Sequence, residues 1–176
     1  YNGGEHPLKD YDLVIWMTGY EDTETLSAND QAALTKYLFD EKGRVWLIGQ
    51  DIVSDLGVNN AFLNNVMWLS SATPGPYLNT GTTDPIVGKN ILNGTEINMT
   101  KPYATGLLDR TDCLNPIVGR SDAAFAEKGG TGRANSILFN ASTNITGGNA
   151  ETYKAALFGF EPMQVLRTND KSMMVY

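Results

Sequence analysis

Two rhythms of apolar and polar positions run through the first third of the chain. Tyr11-Asp12-Leu13-Val14-Ile15-Trp16-Met17-Thr18 is nearly continuous apolar sequence bounded by Gly19, which predicts a strand covered on both faces, as in a parallel sheet. An acidic loop follows over 20–26. Ser27 then predicts a helix N-cap, with Asp30 making a partial capping box, and Ala33, Leu34, Tyr37 and Leu38 recur at helical spacing. Gly43 stands where a left-handed C-terminal residue belongs, and Arg44-Val45-Trp46-Leu47-Ile48-Gly49 predicts a second buried strand. Strand, amphipathic helix and strand form a βαβ unit, so the two strands are expected to be parallel with a right-handed crossover. Thr18-Gly19 and Gly49-Gln50-Asp51 then share the edge at which open α/β sheets hold ligands.

Further along, residues 60–69 read as a helix with Phe62, Val66 and Leu69 on one stripe. Residues 71–133 are rich in Gly, Pro, Thr and Asn and predict irregular loops with short strands. Two late strands are expected at 136–139 and 153–160, and the opening of a helix at 169–176. The fold expected from this pattern is α/β: a mainly parallel sheet flanked by helices on both faces (three layers), with a long irregular segment at 71–133.

Composition narrows the function. At 176 residues the chain is long enough for one domain with a substantial core. Its net charge of −7 argues against tracking nucleic-acid phosphates or a polybasic membrane contact. No apolar run is long enough for insertion into a membrane. One cysteine, Cys113, and one histidine, His6, permit neither an internal disulfide nor a Cys/His zinc cage, and a Cys113–His6 dyad is only arithmetically available. Asparagine occurs 16 times, and four acceptor sequons begin at Asn93, Asn98, Asn140 and Asn144, a mild excess over chance. They favour an extracellular or cell-surface setting with glycosylation, though the same pairs also serve as turn chemistry.

The stretch from Tyr11 to Gly19, the capped helix over Asp30-Gln31-Ala32-Ala33-Leu34, and Leu47-Ile48-Gly49-Gln50-Asp51-Ile52 together resemble a class I glutamine-amidotransferase-like (flavodoxin-like) domain. The closest form is an accessory module of large secreted bacterial and archaeal proteins, often beside peptidase domains. Ala156-Leu157-Phe158-Gly159-Phe160-Glu161 is similar to that group's penultimate strand and turn. The resemblance is strong over 11–58 and loose over 84–176. It implies that residues 1–176 form a single domain lacking its first strand-helix unit and truncated at its C-terminal helix. A sheet without that unit is expected to expose apolar side chains that a partner covers. The resemblance also implies a nucleophilic Cys at the strand-to-helix turn and a His after a late strand. Here those positions fall on Gln50 and near Phe160-Glu161-Pro162, so the amidotransferase chemistry is expected to be missing and no cofactor is implied.

Several residues remain as candidates. Thr18, Gly19, Gln50, Asp51 and Glu161 line the expected crevice, where they bind a ligand or, more plainly, tie loops together; Asp51 is placed to cap the next helix. Asp51 and Glu161 also allow a hydrolase-type acid/base pair. Glu21, Asp22 and Glu24 are weak calcium candidates that match no loop signature. Trp68, Tyr77 and Tyr103 offer faces for sugars but more often pack in a core. The segment from Glu127 to Arg133 lacks the Gly-Lys-Ser/Thr ending of a phosphate loop. The resulting expectation is a non-catalytic structural or interaction domain that binds other domains or subunits of a surface assembly. The alternatives are a hydrolase or a carbohydrate- or calcium-binding module.

Overall fold

A computed structural model describes residues 7–19, 21–78, 85–98, 110–128, 134–140 and 153–160. Within the expected βαβ unit, β1 (Val14–Met17) leads into α1 (Ala28–Glu41) and then β2 (Arg44–Ile48). The two strands pair in parallel, Val14 against Val45 and Met17 against Ile48. Helix α1 starts where Ser27 and Asp30 close a reciprocal capping box: each residue's side chain accepts a hydrogen bond from the other's backbone N–H. Its left-handed C-cap is Lys42 (φ 56°), one residue before the expected Gly43. Gly43 is required for a different reason. A Cβ there would run into the ring of Tyr37, which is buried and pinned by a hydrogen bond from its hydroxyl to the Tyr11 carbonyl (2.7 Å).

Two short helices follow, α2 (Ile52–Leu56) and α3 (Ala61–Asn65). The Asn60 side chain caps α3 by accepting from Phe62 N and Leu63 N. That helix is half the length expected, because the chain turns at Trp68 (φ 57°) into β3 (Leu69–Leu78). Apart from a single 3-10 turn at Asn90–Leu92, the remaining elements among the described residues are strands: β4 (Pro85–Gly88), β5 (Glu96–Asn98), β6 (Arg110–Pro116), β7 (Ser121–Glu127), β8 (Ala134–Asn140) and β9 (Lys154–Phe158). Seven strands form one sheet in the order β1-β2-β9-β8-β7-β4-β5, and β3 pairs with β6 in a separate antiparallel ribbon.

This topology corrects the expected fold. Among the described strands only β1–β2 and β2–β9 are parallel; the other four pairings in the large sheet are antiparallel. The segment 71–133, expected to be irregular loops with short strands, supplies β4 to β7 and most of β3. The links between β4 and β5 and between β7 and β8 are too short for parallel crossovers, so those pairs return antiparallel, whereas β3 with β6 and β4 with β7 pair across long stretches of chain. Among the described residues the helices cover one face only. Leu34, Tyr37 and Leu38 of α1, Ile52 and Val53 of α2 and Phe62 and Leu63 of α3 share one core with Val45, Leu47, Ala155 and Leu157. Leu69 and Leu114 bring the ribbon to the same core. The described residues therefore do not build the expected three-layer flavodoxin-like arrangement.

Alternation along the strands assigns the other face. Paired residues share a side, so Ile48 and Phe158 project away from α1, in line with Phe125. Ile48, Ile86, Ile97, Phe125, Phe158 and Phe160 form a second cluster, with Phe125 and Phe158 edge-to-face at 5.9 Å. No helix among the described residues is long and apolar enough to cross a membrane.

Candidate functional site

Two regions claim attention: the crevice at the C-terminal ends of β1, β2 and β9, and the bare side of β1. In the crevice, strand pairing brings the predicted segments together. Thr18 N donates to the Ile48 carbonyl at 3.0 Å, and Gly49 N donates to that of Phe158 at 3.0 Å. The Thr18 hydroxyl reaches the Ile48 carbonyl at 3.5 Å, and it lies where a Cβ on residue 49 would stand, so this placement of the hydroxyl depends on Gly49. Gly19 completes the first turn at φ 62°.

Gln50 and Asp51 are both buried, at 4% and 8% exposure, so they do not face an open cleft. Asp51 occupies the N-cap position of α2, but its side chain makes no capping hydrogen bond; its backbone carbonyl accepts from Asp55 N at 2.9 Å. The expected capping role is thereby corrected. Glu161 lies outside the described residues, as do His6, Tyr103 and Asn144. Cys113 is a buried thiol on β6, facing Thr73 of β3 in register and outside any disulfide.

Sequence reasoning missed Asp112. Its side chain is fully buried, and its backbone N–H donates to the Gly159 carbonyl at 2.8 Å, next to the β9 end that receives Gly49. The ribbon thus ties the backbone of a buried aspartate to the end of β9. No local signal marks it, because the contact depends on β6 meeting the end of β9.

The acidic loop is fastened rather than open. Asp55 Oδ2 accepts from Thr25 N (2.8 Å) and the Thr25 hydroxyl (2.7 Å), and Oδ1 accepts from Glu24 N (3.2 Å). Glu21, Asp22 and Glu24 are exposed, and no group of three His, Cys, Asp or Glu able to hold a metal ion occurs among the described residues. Trp68 is committed to packing: its Nε1 donates to the Tyr153 hydroxyl at 2.6 Å, and the Arg120 guanidinium lies 4.4 Å over its ring. Among the sequons, Asn93 is exposed in a turn, Asn98 lies in β5 and Asn140 ends β8.

The second region follows from β1. It is an edge strand, and among the described residues no strand pairs with its outer side. Val14 and Trp16 pack against the helix-covered core, whereas Leu13, Ile15 and Met17 on the other side are 47%, 50% and 55% exposed. Ile15 aligns with Trp46 and Ala156, both partly buried, which carries the apolar surface from the edge into the sheet. The Trp46 indole N–H is shut off from solvent, and among the described residues it has no hydrogen-bond partner.

No protein-family model matches the chain, and no curated protein does. Among solved structures, it is similar to a β-galactosidase from Bacillus circulans sp. alkalophilus, with a TM-score of 0.57 and 14% sequence identity. The match covers 92% of this chain and 22% of the galactosidase, so the chain spans under a quarter of that protein's length. A likeness at this identity concerns the fold alone.

Proposed function

We propose that the chain is a non-catalytic accessory domain of a larger secreted or cell-surface protein, binding neighbouring domains or subunits through the bare side of β1. The observation that carries this reading is the half-exposed row Leu13, Ile15 and Met17 on a strand whose opposite side is built into the core. Soluble proteins avoid contiguous apolar surface at a sheet edge because it recruits other chains. Covering three side chains of this size from half exposure is worth about 1 kcal/mol each at roughly 25 cal/mol per Å². Ile91 and Val118 are more exposed still, but they stand singly in turns and build no such surface.

The burial of Gln50 and Asp51 supports a structural role for the crevice, and Gln50 at the turn supports the non-catalytic reading. The resemblance of residues 11–58 to amidotransferase-like accessory modules belongs to the same proposal. So do glycosylation and the secreted setting, for which the exposed Asn93 turn is the support.

Methionine oxidation tests the reading. In the chain by itself, Met17 should be converted to sulfoxide by peroxide much faster than Met67, which is 1% exposed. In the intact protein from its source, Met17 should be protected to the level of Met67, and the intact mass should exceed that of the polypeptide. Equal Met17 reactivity in both preparations would remove the interaction role, and a bare polypeptide mass would remove the glycan.

A further inference from the structure

Resting on the accessory-domain reading, we infer that the occupant of the bare face is an amphipathic α-helix of a neighbouring domain or subunit, with carboxylates at the end that meets Arg44 and Lys154. The first support is where the opening lies. It is not confined to the rim, since Trp46 on the second strand and Ala156 on the third are also only partly buried on this side. Both strands already have neighbours on each flank, so a strand added at the β1 edge could not close over them. Only something lying on the face can do so.

The second support is the pairing type. β1, β2 and β9 are the parallel part of the sheet, and parallel strands are ordinarily sheathed by helices on both sides. Here α1 to α3 sheathe one side. Three strands at about 4.8 Å spacing present a strip about 10 Å wide, the diameter of a helix with its side chains. The strip closes toward Ile48 and Phe158, at 2% and 9% exposure, so a helix sits along the Leu13–Met17 side.

The third support is charge. Arg44 and Lys154 face each other in register, are both exposed, and share the side of Trp46 and Ala156. Neither side chain enters an ion pair among the described residues. Two like charges directly across a strand pair repel, and a partner's carboxylates relieve that repulsion. A second copy of this chain fits poorly, because each copy carries a net charge of −7.

The test uses the full chain and a labelled peptide of about 16 residues, long enough to be helical alone, with leucines at i, i+3, i+4 and i+7 and two glutamates at one end. Fluorescence anisotropy should show saturable binding that protects Met17 from peroxide. Ile15→Glu should weaken it about tenfold or more, the cost of burying a charge against leucine. The double variant Arg44→Glu/Lys154→Glu should also weaken it, and a peptide with lysines in place of the two glutamates should restore binding to that variant alone. Far-UV circular dichroism confirms that each variant is folded. Four outcomes overturn the helix: binding no tighter than to a scrambled peptide, binding unchanged by Ile15→Glu, failure of the charge swap, or preference for an alternating valine-threonine strand peptide. Met17 protection in the intact protein separates these from the parent reading: a protected Met17 without helix binding sinks the helix alone.

Discussion

Asp30 shows how much one carboxylate can fix. It is buried at 8% exposure, and burial alone pushes its pKa up. The positive charge of the chain's amino terminus, and after it the Ser27 hydroxyl at 2.6 Å and backbone N–H at 3.0 Å, outweigh that and hold it below its ordinary 3.8. A carboxyl whose folded pKa lies below its unfolded value stabilises the protein above the unfolded value. That contribution disappears as pH falls through the lowered folded pKa. Asp30→Asn is therefore expected to cost about 1 kcal/mol at neutral pH, the usual worth of a cap. The gap between variant and parent should shrink as pH drops below about 4. Urea unfolding at pH 7 and pH 3 checks this; a gap of the same size at both would show that the Asp30 charge contributes nothing.

At the scale of elements, what was legible is what is local. The unit β1-α1-β2 and its capping box follow from residues within a few positions of one another, and they were readable from Tyr11 to Gly49. The helix end was misplaced by one residue because Lys42, not Gly43, takes the left-handed conformation. What Gly43 answers to is Tyr37, a contact that spacing alone does not reveal. In the 71–133 segment the Gly, Pro, Thr and Asn content predicts short strands between loops but not their order, because β3, β4, β6 and β7 pair with partners far along the chain. Asp112 was invisible for the same reason. The two glycines give a graded prediction. Gly43→Ala must displace a buried ring held by hydrogen bonds to Tyr11 O and Arg44 N, at about 1–3 kcal/mol for overpacking. Gly49→Ala meets mainly the Thr18 hydroxyl, which can rotate away from a long 3.5 Å hydrogen bond. Thermal unfolding should rank Gly43→Ala as the more damaging; the reverse order would show that the crevice turns are the more rigid contact.

For the whole molecule, among the described residues the helices, the ribbon and the second cluster cover much of the sheet and leave open the Leu13–Met17 side of β1 with Trp46 and Ala156 beside it. That asymmetry sets two opposing tendencies in solution. The bare row attracts apolar surface, while a net charge of −7 keeps copies apart at low ionic strength. The chain by itself should therefore sediment as a monomer in low salt and still bind an apolar dye such as ANS. Ile15→Lys should remove most of that dye fluorescence. Its thermal stability should stay within about 0.5 kcal/mol of the parent, because a half-exposed side chain contributes little to the core. Dye binding untouched by Ile15→Lys would place the exposed apolar surface elsewhere. A large loss of stability would mean that Ile15 supports the sheet from within rather than awaiting a neighbour.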